Sequence, residues 1–260
     1  MQPNPPSTRI AIAQINMHWS TPENMAAICH AMHTAHANGA QWCALSELAI
    51  TGFHKLIARE ATPQVVLPAV QQLQALCAEL QIAIAVGAPT FDAEGAVYNA
   101  HLLINAHGDI QASVAKHGLT EPEATFFARG HTRPIATMQG LRCSAVICRE
   151  VEDLALTSAQ LPVGSVDVIW LPGALRQDPA KPRTEPPEYV HNAMRLALAT
   201  QAWVVQTNWP NALNRPEESV DGGQSVVVSP DGELMFRLPR QASGLGIFNL
   251  GERSFDWHPQ

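Results

Sequence analysis

The chain alternates short apolar runs, rich in β-branched residues, with longer stretches whose apolar residues recur at helical spacing. The runs predict strands at 9–15, 42–45, 82–86, 97–104, 110–115, 143–147, 166–171, 202–207, 224–229, 233–238 and 244–250. Helices are predicted at about 21–38, 64–80, 153–161 and 186–200. We expect Gly87 to close the third strand and Thr184 to cap the last helix.

This order of elements predicts an α/β fold with a mixed sheet or two packed sheets. No repeat, low-complexity tract or change of composition divides the chain, so we expect one domain over residues 1–260, with 1–8 as a loose tail. The stretch 117–134 is polar and lacks a period. A loop of that length in a compact domain is usually functional.

Composition narrows the classes of partner. The chain has 260 residues, 46% of them hydrophobic, and a net charge of -7. Nucleic acid and anionic membrane surfaces require clustered Lys and Arg, so neither is the expected partner. We therefore expect a small-molecule substrate.

The cysteines and the N-terminus indicate the compartment. The five cysteines form no C-x-x-C pair and no metal-ligand spacing, which argues against a disulfide framework and a zinc site. The first residues lack the order of a signal peptide, and no apolar run has the length of a membrane span. A cytoplasmic location is the expectation.

Candidate chemistry lies at the ends of predicted strands. Glu47, Lys116 and Cys148 each follow one, and neighbouring strands that point the same way would bring all three into one crevice. Cys148 would attack a carbonyl or nitrile carbon, Glu47 would move the proton, and Lys116 would stabilise the oxyanion. Taken singly, a core cysteine, a solvated glutamate and a surface lysine are the commoner explanations.

Two further clusters have ordinary explanations. His30, His33 and His36 could suggest a metal site, but their spacing drifts around a helix, which favours a solvated face. The acidic cluster formed by Glu150, Glu152 and Asp153 could attract a cationic amide, although a charged helix start is favoured.

The motifs resemble those of the nitrilase (carbon-nitrogen hydrolase) superfamily. Residues 45–53 resemble its P-E-L-x-x-x-G-[FY] signature, with Ser46 in place of the proline. Residues 97–119 resemble its Y-N-x…G…K-x-x-L stretch, 140–148 its G-x…I-C stretch, and 225–232 its S-x-[IV]-[IV]-x-P-x-G hairpin. The similarity spans about residues 9 to 250, with the motifs in the family's order.

The resemblance implies a catalytic triad of Cys148, Glu47 and Lys116. It also implies a second glutamate that holds substrate and assists proton transfer; Glu123 keeps the family's spacing to Gly130, and Glu121 does not. The implied fold is a four-layer αββα sandwich of two mixed β-sheets flanked by helices, with subunits that associate as a homodimer or higher homo-oligomer. No metal and no organic cofactor are implied.

The resemblance implies a cysteine-dependent hydrolase of non-peptide carbon-nitrogen bonds. We expect a small primary amide or N-carbamoyl compound, hydrolysed through a thioester with release of ammonia. Nitrile hydrolysis and a catalytically silent scaffold are the alternatives. The family's C-x-D-x-x-F-P-E pattern is replaced here by Cys148–Asp153 without its Phe-Pro, so substrate choice is where this chain differs most.

Overall fold

In the computed structural model, residues 7–177, 182 and 184–260 are described and form two β-sheets with helices on their outer faces. The strands are β1 (Arg9–Gln14), β2 (Trp42–Ala44), β3 (Ala83–Phe91), β4 (Val97–Ile104), β5 (Ile110–Ala115), β6 (Ala136–Met138), β7 (Leu141–Ala145), β8 (Val168–Gly173), β9 (Trp203–Asn208), β10 (Val226–Val228), β11 (Leu234–Arg237), β12 (Gly244–Asn249) and β13 (Ser254–Pro259). The helices are α1 (Thr21–Ala37), α2 (Ile57–Glu60), α3 (Pro63–Leu80), α4 (Glu121–Ala124), α5 (Leu154–Gln160) and α6 (Glu188–Thr200), with single 3-10 turns at Cys148–Glu152 and Pro216–Asp221.

Both sheets are mixed. The first has the strand order β13-β12-β1-β2-β3-β4-β5, and the second has the order β11-β10-β9-β8-β7-β6. Strands β1, β2 and β3 are parallel to one another, as are β7, β8 and β9, whereas the outer strands pair antiparallel. The predicted α/β class is confirmed.

Three apolar clusters separate four layers. The first lies between α1, α3 and the first sheet, the second lies between the two sheets, and the third lies between the second sheet, α5 and α6. Across the middle cluster, the ring centroids of Trp42 and Trp170 are 4.9 Å apart. Because both faces of each central strand are buried, these strands appear in the sequence as continuous apolar runs. The predicted αββα sandwich is confirmed.

The third strand does not close at Gly87. Strand β3 continues to Phe91, and β2 ends where the chain turns to place Glu47 beside it. A Cβ atom at Gly87 would lie 2.8 Å from the carbonyl carbon of Glu47 and closer still to backbone atoms of Ser46 and Leu48. The glycine therefore allows close approach of two backbones within a strand, rather than a turn.

Several other boundaries differ from the predictions. Strand β7 ends at Ala145, two residues before the predicted limit of 147. Strands β6 and β13 were not predicted. Strand β13, which pairs with β12, is mostly exposed, so its sequence lacks the apolar pattern that would indicate a strand. Helix α6 begins at Glu188 with Pro187 as its N-cap residue, so Thr184 is not the cap.

The ends of the chain and its surface complete the fold. Residues 1–6 of the expected tail lie outside the described residues, but Thr8 is buried and its carbonyl accepts the Leu250 N–H at 3.0 Å. His30, His33 and His36 are exposed on α1. In the part of the chain that the structure describes, no helix has the length and apolar character needed to cross a membrane.

Candidate active site

The four candidate residues meet between the two sheets: Glu47, Lys116 and Cys148 lie beyond the carboxyl ends of strands, and Glu123 lies in α4. Glu47 follows β2 and Lys116 follows β5, both in the first sheet, whereas Cys148 follows β7 in the second. The three strands are therefore not neighbours in one sheet. Packing of two sheets face to face brings their strand ends together, because the parallel strands of each sheet end on the same side.

Glu47 is anchored through one carboxylate oxygen. Its Oε1 accepts hydrogen bonds from Lys116 Nζ at 2.7 Å and from Asn99 Nδ2 at 2.8 Å. The backbone is held as well, since Trp209 Nε1 donates to the Glu47 carbonyl at 2.9 Å. Glu47 Oε2 is buried and has no hydrogen-bond partner among the described residues. One oxygen thus fixes the side chain and the other is free.

Lys116 lies between two carboxylates. Its ammonium donates to Glu47 and, at 2.6 Å, to Glu123 Oε1, and all three side chains are at most 5% exposed. Burial alone would lower the pKa of Lys116, but the charges of Glu47, Cys148 and Glu123 outweigh it and raise the pKa above its ordinary value. The lysine is a fixed cation at any physiological pH.

Glu123 is placed by the start of α4. Thr120 Oγ1 accepts the Glu123 N–H at 3.3 Å, and Glu123 Oε2 accepts the Thr120 N–H at 2.8 Å, which forms a capping box. Burial would raise the pKa of the Glu123 carboxyl, but Lys116 outweighs burial and holds it below its ordinary value. Glu121 is exposed, and so the structure brings Glu123 and not Glu121 to the lysine.

Cys148 opens the 3-10 turn after β7 and has a φ of 57°, which is uncommon for a residue with a side chain. Burial raises the pKa of its thiol to about 12, and the charge of Glu47 acts in the same direction, whereas Lys116 and the Ala174 N–H act against them. The resting thiol is therefore protonated at neutral pH and requires a base. The partly exposed Cys148 contrasts with Cys143, which is fully buried as the structural cysteine of this strand.

Residues that the sequence analysis did not assign also shape the site. Asn99 and Trp209 orient Glu47, and Asn99 belongs to the Y-N motif that could have indicated it. Glu150 lies in the first turn of the 3-10 helix, as the charged helix start predicts, but it is also 5% exposed and hydrogen-bonded to backbone on both sides of the site. In the same cluster, Asp153 does cap α5, by accepting the Leu156 N–H.

Arg176 brings a further charge near the cysteine. Burial lowers the pKa of its guanidinium, while the charges of Tyr189, Glu218 and Cys148 act to raise it. The side chain donates to the carbonyls of Leu175 and Asn211. It lines a cavity of about 210 Å³ together with Leu175 and Tyr189, two members of the apolar cluster against which Cys148 packs.

Within residues 7–177, 182 and 184–260, no group of three or more His, Cys, Asp and Glu side chains is arranged to hold a metal ion. The charged side chains that act on Cys148 include Glu47, Lys116, Glu123 and Arg176.

Lys116→Met is expected to lower the free energy of unfolding at pH 7 by about 3–5 kcal/mol, because it leaves two buried carboxylates without their cation. The raised pKa of Lys116 means that its stabilisation is present at all pH values below about 10.4, and the lowered pKa of Glu123 means that its stabilisation is lost as the pH falls below about 4.3. The deficit of the variant should therefore shrink as the pH falls below about 4.3 in denaturant unfolding. As a control, Arg142→Met removes an exposed pair with Asp167 and should cost about 1 kcal/mol or less. A deficit that is independent of pH would contradict the assignment of buried charges.

The four-layer αββα sandwich, with buried charges between its sheets, is the fold that the resemblance to the nitrilase superfamily implies. The model of the Carbon-nitrogen hydrolase family matches residues 9–252, so the chain belongs to this family. It is therefore a carbon-nitrogen hydrolase that acts on bonds other than peptide bonds.

Solved structures show the same fold. A C145A mutant of the Nesterenkonia AN1 amidase from the nitrilase superfamily is similar with a TM-score of 0.81 and 23% identity over 95% of this chain and 91% of that chain. Glutamine-dependent NAD+ synthetase from Acinetobacter baumannii is similar with a TM-score of 0.75 and 18% identity over 96% of this chain and 47% of that chain. No curated protein sequence matches the chain. At these identities the likeness establishes the fold alone.

Proposed function

We propose that the protein hydrolyses a small primary amide or an N-carbamoyl compound through a thioester on Cys148. Membership of the carbon-nitrogen hydrolase family supports the bond class, and the likeness to an amidase supports an amide. Nitrile hydrolysis is the variant that the same residues would allow.

The observation that carries the proposal is the asymmetry of the Glu47 carboxylate. Oε1 is held by Lys116 and Asn99, whereas Oε2 is buried without a partner among the described residues. A buried acceptor left unsatisfied is costly, and a catalytic role is one explanation for such an atom beside a nucleophile. The Cys148 thiol, with its raised pKa, is the proton donor that this atom would serve.

In the acylation step, Glu47 Oε2 takes the proton from the Cys148 thiol as the sulfur attacks the carbonyl carbon. The carbonyl oxygen gains the electron pair and becomes an oxyanion, which the Lys116 ammonium stabilises. When the tetrahedral intermediate collapses, the carbon-nitrogen bond breaks. Ammonia leaves with the proton from Glu47, and the acyl group remains on sulfur as a thioester.

In the deacylation step, Glu47 takes a proton from water as the water oxygen attacks the thioester carbon. The carbon-sulfur bond breaks, the acid is released, and the proton returns to Cys148. Both oxygens of Glu123 have partners, Lys116 on one side and Thr120 on the other. This pairing supports a role for Glu123 in orienting Lys116. The family resemblance implies a second role, which is assistance to proton transfer.

The proposal is tested by ammonia release from a panel of short amides, N-carbamoyl compounds and nitriles, combined with mass spectrometry of the acid-quenched protein. We expect turnover of at least one amide or carbamoyl compound and an acyl adduct on the peptide that contains Cys148. Acrylamide is a suitable trapping probe, because an E41Q mutant of the Nesterenkonia amidase shows its Michael addition at the active-site cysteine. Absence of ammonia across the panel, or an adduct on another residue, would overturn the proposal.

The cytoplasmic location and the homo-oligomeric state stay predictions. Helices α5 and α6 cover the outer face of the second sheet and expose apolar side chains there, with Leu156 48% and Leu198 62% exposed.

A further inference from the structure

Glu150 is a buried carboxylate that the proposed reaction does not use. It lies two residues after Cys148, and its side chain is 3% exposed. Both oxygens accept hydrogen bonds from backbone: Oε2 from Ile147, and Oε1 from His117 and Gly118. Three backbone N–H groups thus converge on one side chain. The Ile147 N–H is that of the N-cap residue of the 3-10 turn, with Glu150 at its N3 position, whereas the His117 and Gly118 N–H groups lie outside that turn.

The donors belong to opposite sides of the active site. Ile147 immediately precedes Cys148 and donates at 2.6 Å, whereas His117 and Gly118 immediately follow Lys116, and Gly118 donates at 3.1 Å. Cys148 leaves the second sheet and Lys116 leaves the first. The carboxylate therefore links the chain beside the sulfur to the chain beside the ammonium across the gap between the sheets.

Arg133 completes the link. Its guanidinium is 3.2 Å from Glu150 Oε2, donates to the carbonyl of Ala145 at the end of β7, and is held by Gln160 Oε1 at 2.9 Å. The side chain of Arg133 is 2% exposed. Because a buried ion pair contributes little net stability compared with apolar packing, its presence here is better explained by the geometry it fixes.

The backbone of Cys148 needs such support. A φ of 57° is unfavourable for a residue with a side chain and persists only where the surroundings determine it. The main chain of Glu150 is also tied, since Thr157 Oγ1 donates to its carbonyl at 3.0 Å. The turn that presents the sulfur is thus fixed at Ile147 through the Glu150 side chain and at Glu150 through its carbonyl.

We propose that Glu150 is a positioning residue that sets the Cys148 sulfur against the Lys116 ammonium, an inference that rests on the proposed reaction. Glu150→Gln tests it because glutamine has the same size but one acceptor oxygen. Its NH₂ group cannot accept, so it can hold the Ile147 side or the His117–Gly118 side, and not both. One half of the link is lost while the packing volume is kept.

Three measurements are compared in the unmutated protein and in Glu150→Gln: kcat and KM for the best amide, the rate of Cys148 alkylation by iodoacetamide, and the folded fraction from thermal unfolding. We expect kcat per folded protein to fall about tenfold or more with KM within about twofold, because the chemical steps need the geometry more than substrate binding does. Alkylation should slow as well, since Lys116 is the side-chain cation that favours the thiolate.

Asp167→Asn is the matched control. Asp167 accepts the Arg142 backbone N–H at 2.8 Å and binds the Arg142 guanidinium, which are the same kinds of contact at the far end of β7. We expect kcat and alkylation to be unchanged in this variant. Equal losses in the control, or losses in Glu150→Gln that only follow the folded fraction, would assign Glu150 a merely structural role.

A second variant separates the loss of positioning from misfolding caused by an unpaired buried charge. Glu150→Gln combined with Arg133→Gln leaves no unpaired buried charge, and the same fall in kcat is expected from it. If the unmutated protein releases no ammonia from any amide, the alkylation rates still decide, because they do not depend on turnover. Unchanged alkylation and unchanged kcat in both variants would overturn the assignment.

Discussion

Replacement of Cys148 by alanine is expected to reduce ammonia release from the best amide by about 10⁶-fold, the scale of loss seen when a covalent hydrolase loses its nucleophile. The reason is that no other described thiol lies beside the base: Cys43, Cys77 and Cys143 are buried, and Cys29 lies on α1. Without sulfur no thioester forms, and Glu47 and Lys116 can only assist direct attack by water. The measurement is steady-state ammonia release, normalised to folded protein.

Cys143→Ala is the control for loss of a thiol. Cys143 is on the same strand, five residues earlier, and is fully buried between the sheets. Its replacement should cost about 1 kcal/mol of stability and leave turnover unchanged. Persistent ammonia release in Cys148→Ala, or its loss in Cys143→Ala, would show that Cys148 is not the nucleophile.

Most of the site can be predicted from the sequence because three of its four members follow an apolar run, whereas Glu123 lies in the polar stretch 117–134. The pattern alone places Glu47, Lys116 and Cys148 at strand ends. The family resemblance implies that the three residues form one catalytic triad. Their arrangement across two sheets could not be predicted in this way. An apolar run indicates that a strand is buried on both faces, but not which sheet it joins, because strand pairing depends on contacts distant in the sequence.

Two features illustrate why the rest was missed. Gly87 appeared to be a strand terminator, yet glycine is needed there because the Glu47 backbone approaches within van der Waals distance. The pattern predicts Glu150 at a charged helix start, which the structure has, but it does not predict that the carboxylate is buried, because charged residues are mostly exposed. Its burial depends on Arg133 and on the chain after Lys116, which are remote in sequence.

Glu47→Gln is expected to lower kcat by about 10⁴-fold, the upper end for loss of a general base, because the same oxygen acts in both acylation and deacylation. Glutamine can keep its carbonyl oxygen towards Lys116 and Asn99, so the fold and the anchoring contacts survive. Its NH₂ group then replaces Oε2, the atom proposed to take the proton. Glu121→Gln, an exposed carboxylate near Glu123, should leave kcat unchanged.

Alkylation of Cys148 distinguishes loss of the base from general damage to the site. The charge of Glu47 helps to raise the pKa of the Cys148 thiol, so removal of that charge lowers this pKa and increases the thiolate fraction at a given pH. Iodoacetamide should therefore label Cys148 at least as fast in Glu47→Gln as in the unmutated protein, while ammonia release is lost. Slower labelling together with lost turnover would mean that Glu47 acts by holding Lys116 in place, and that the proton acceptor is another group.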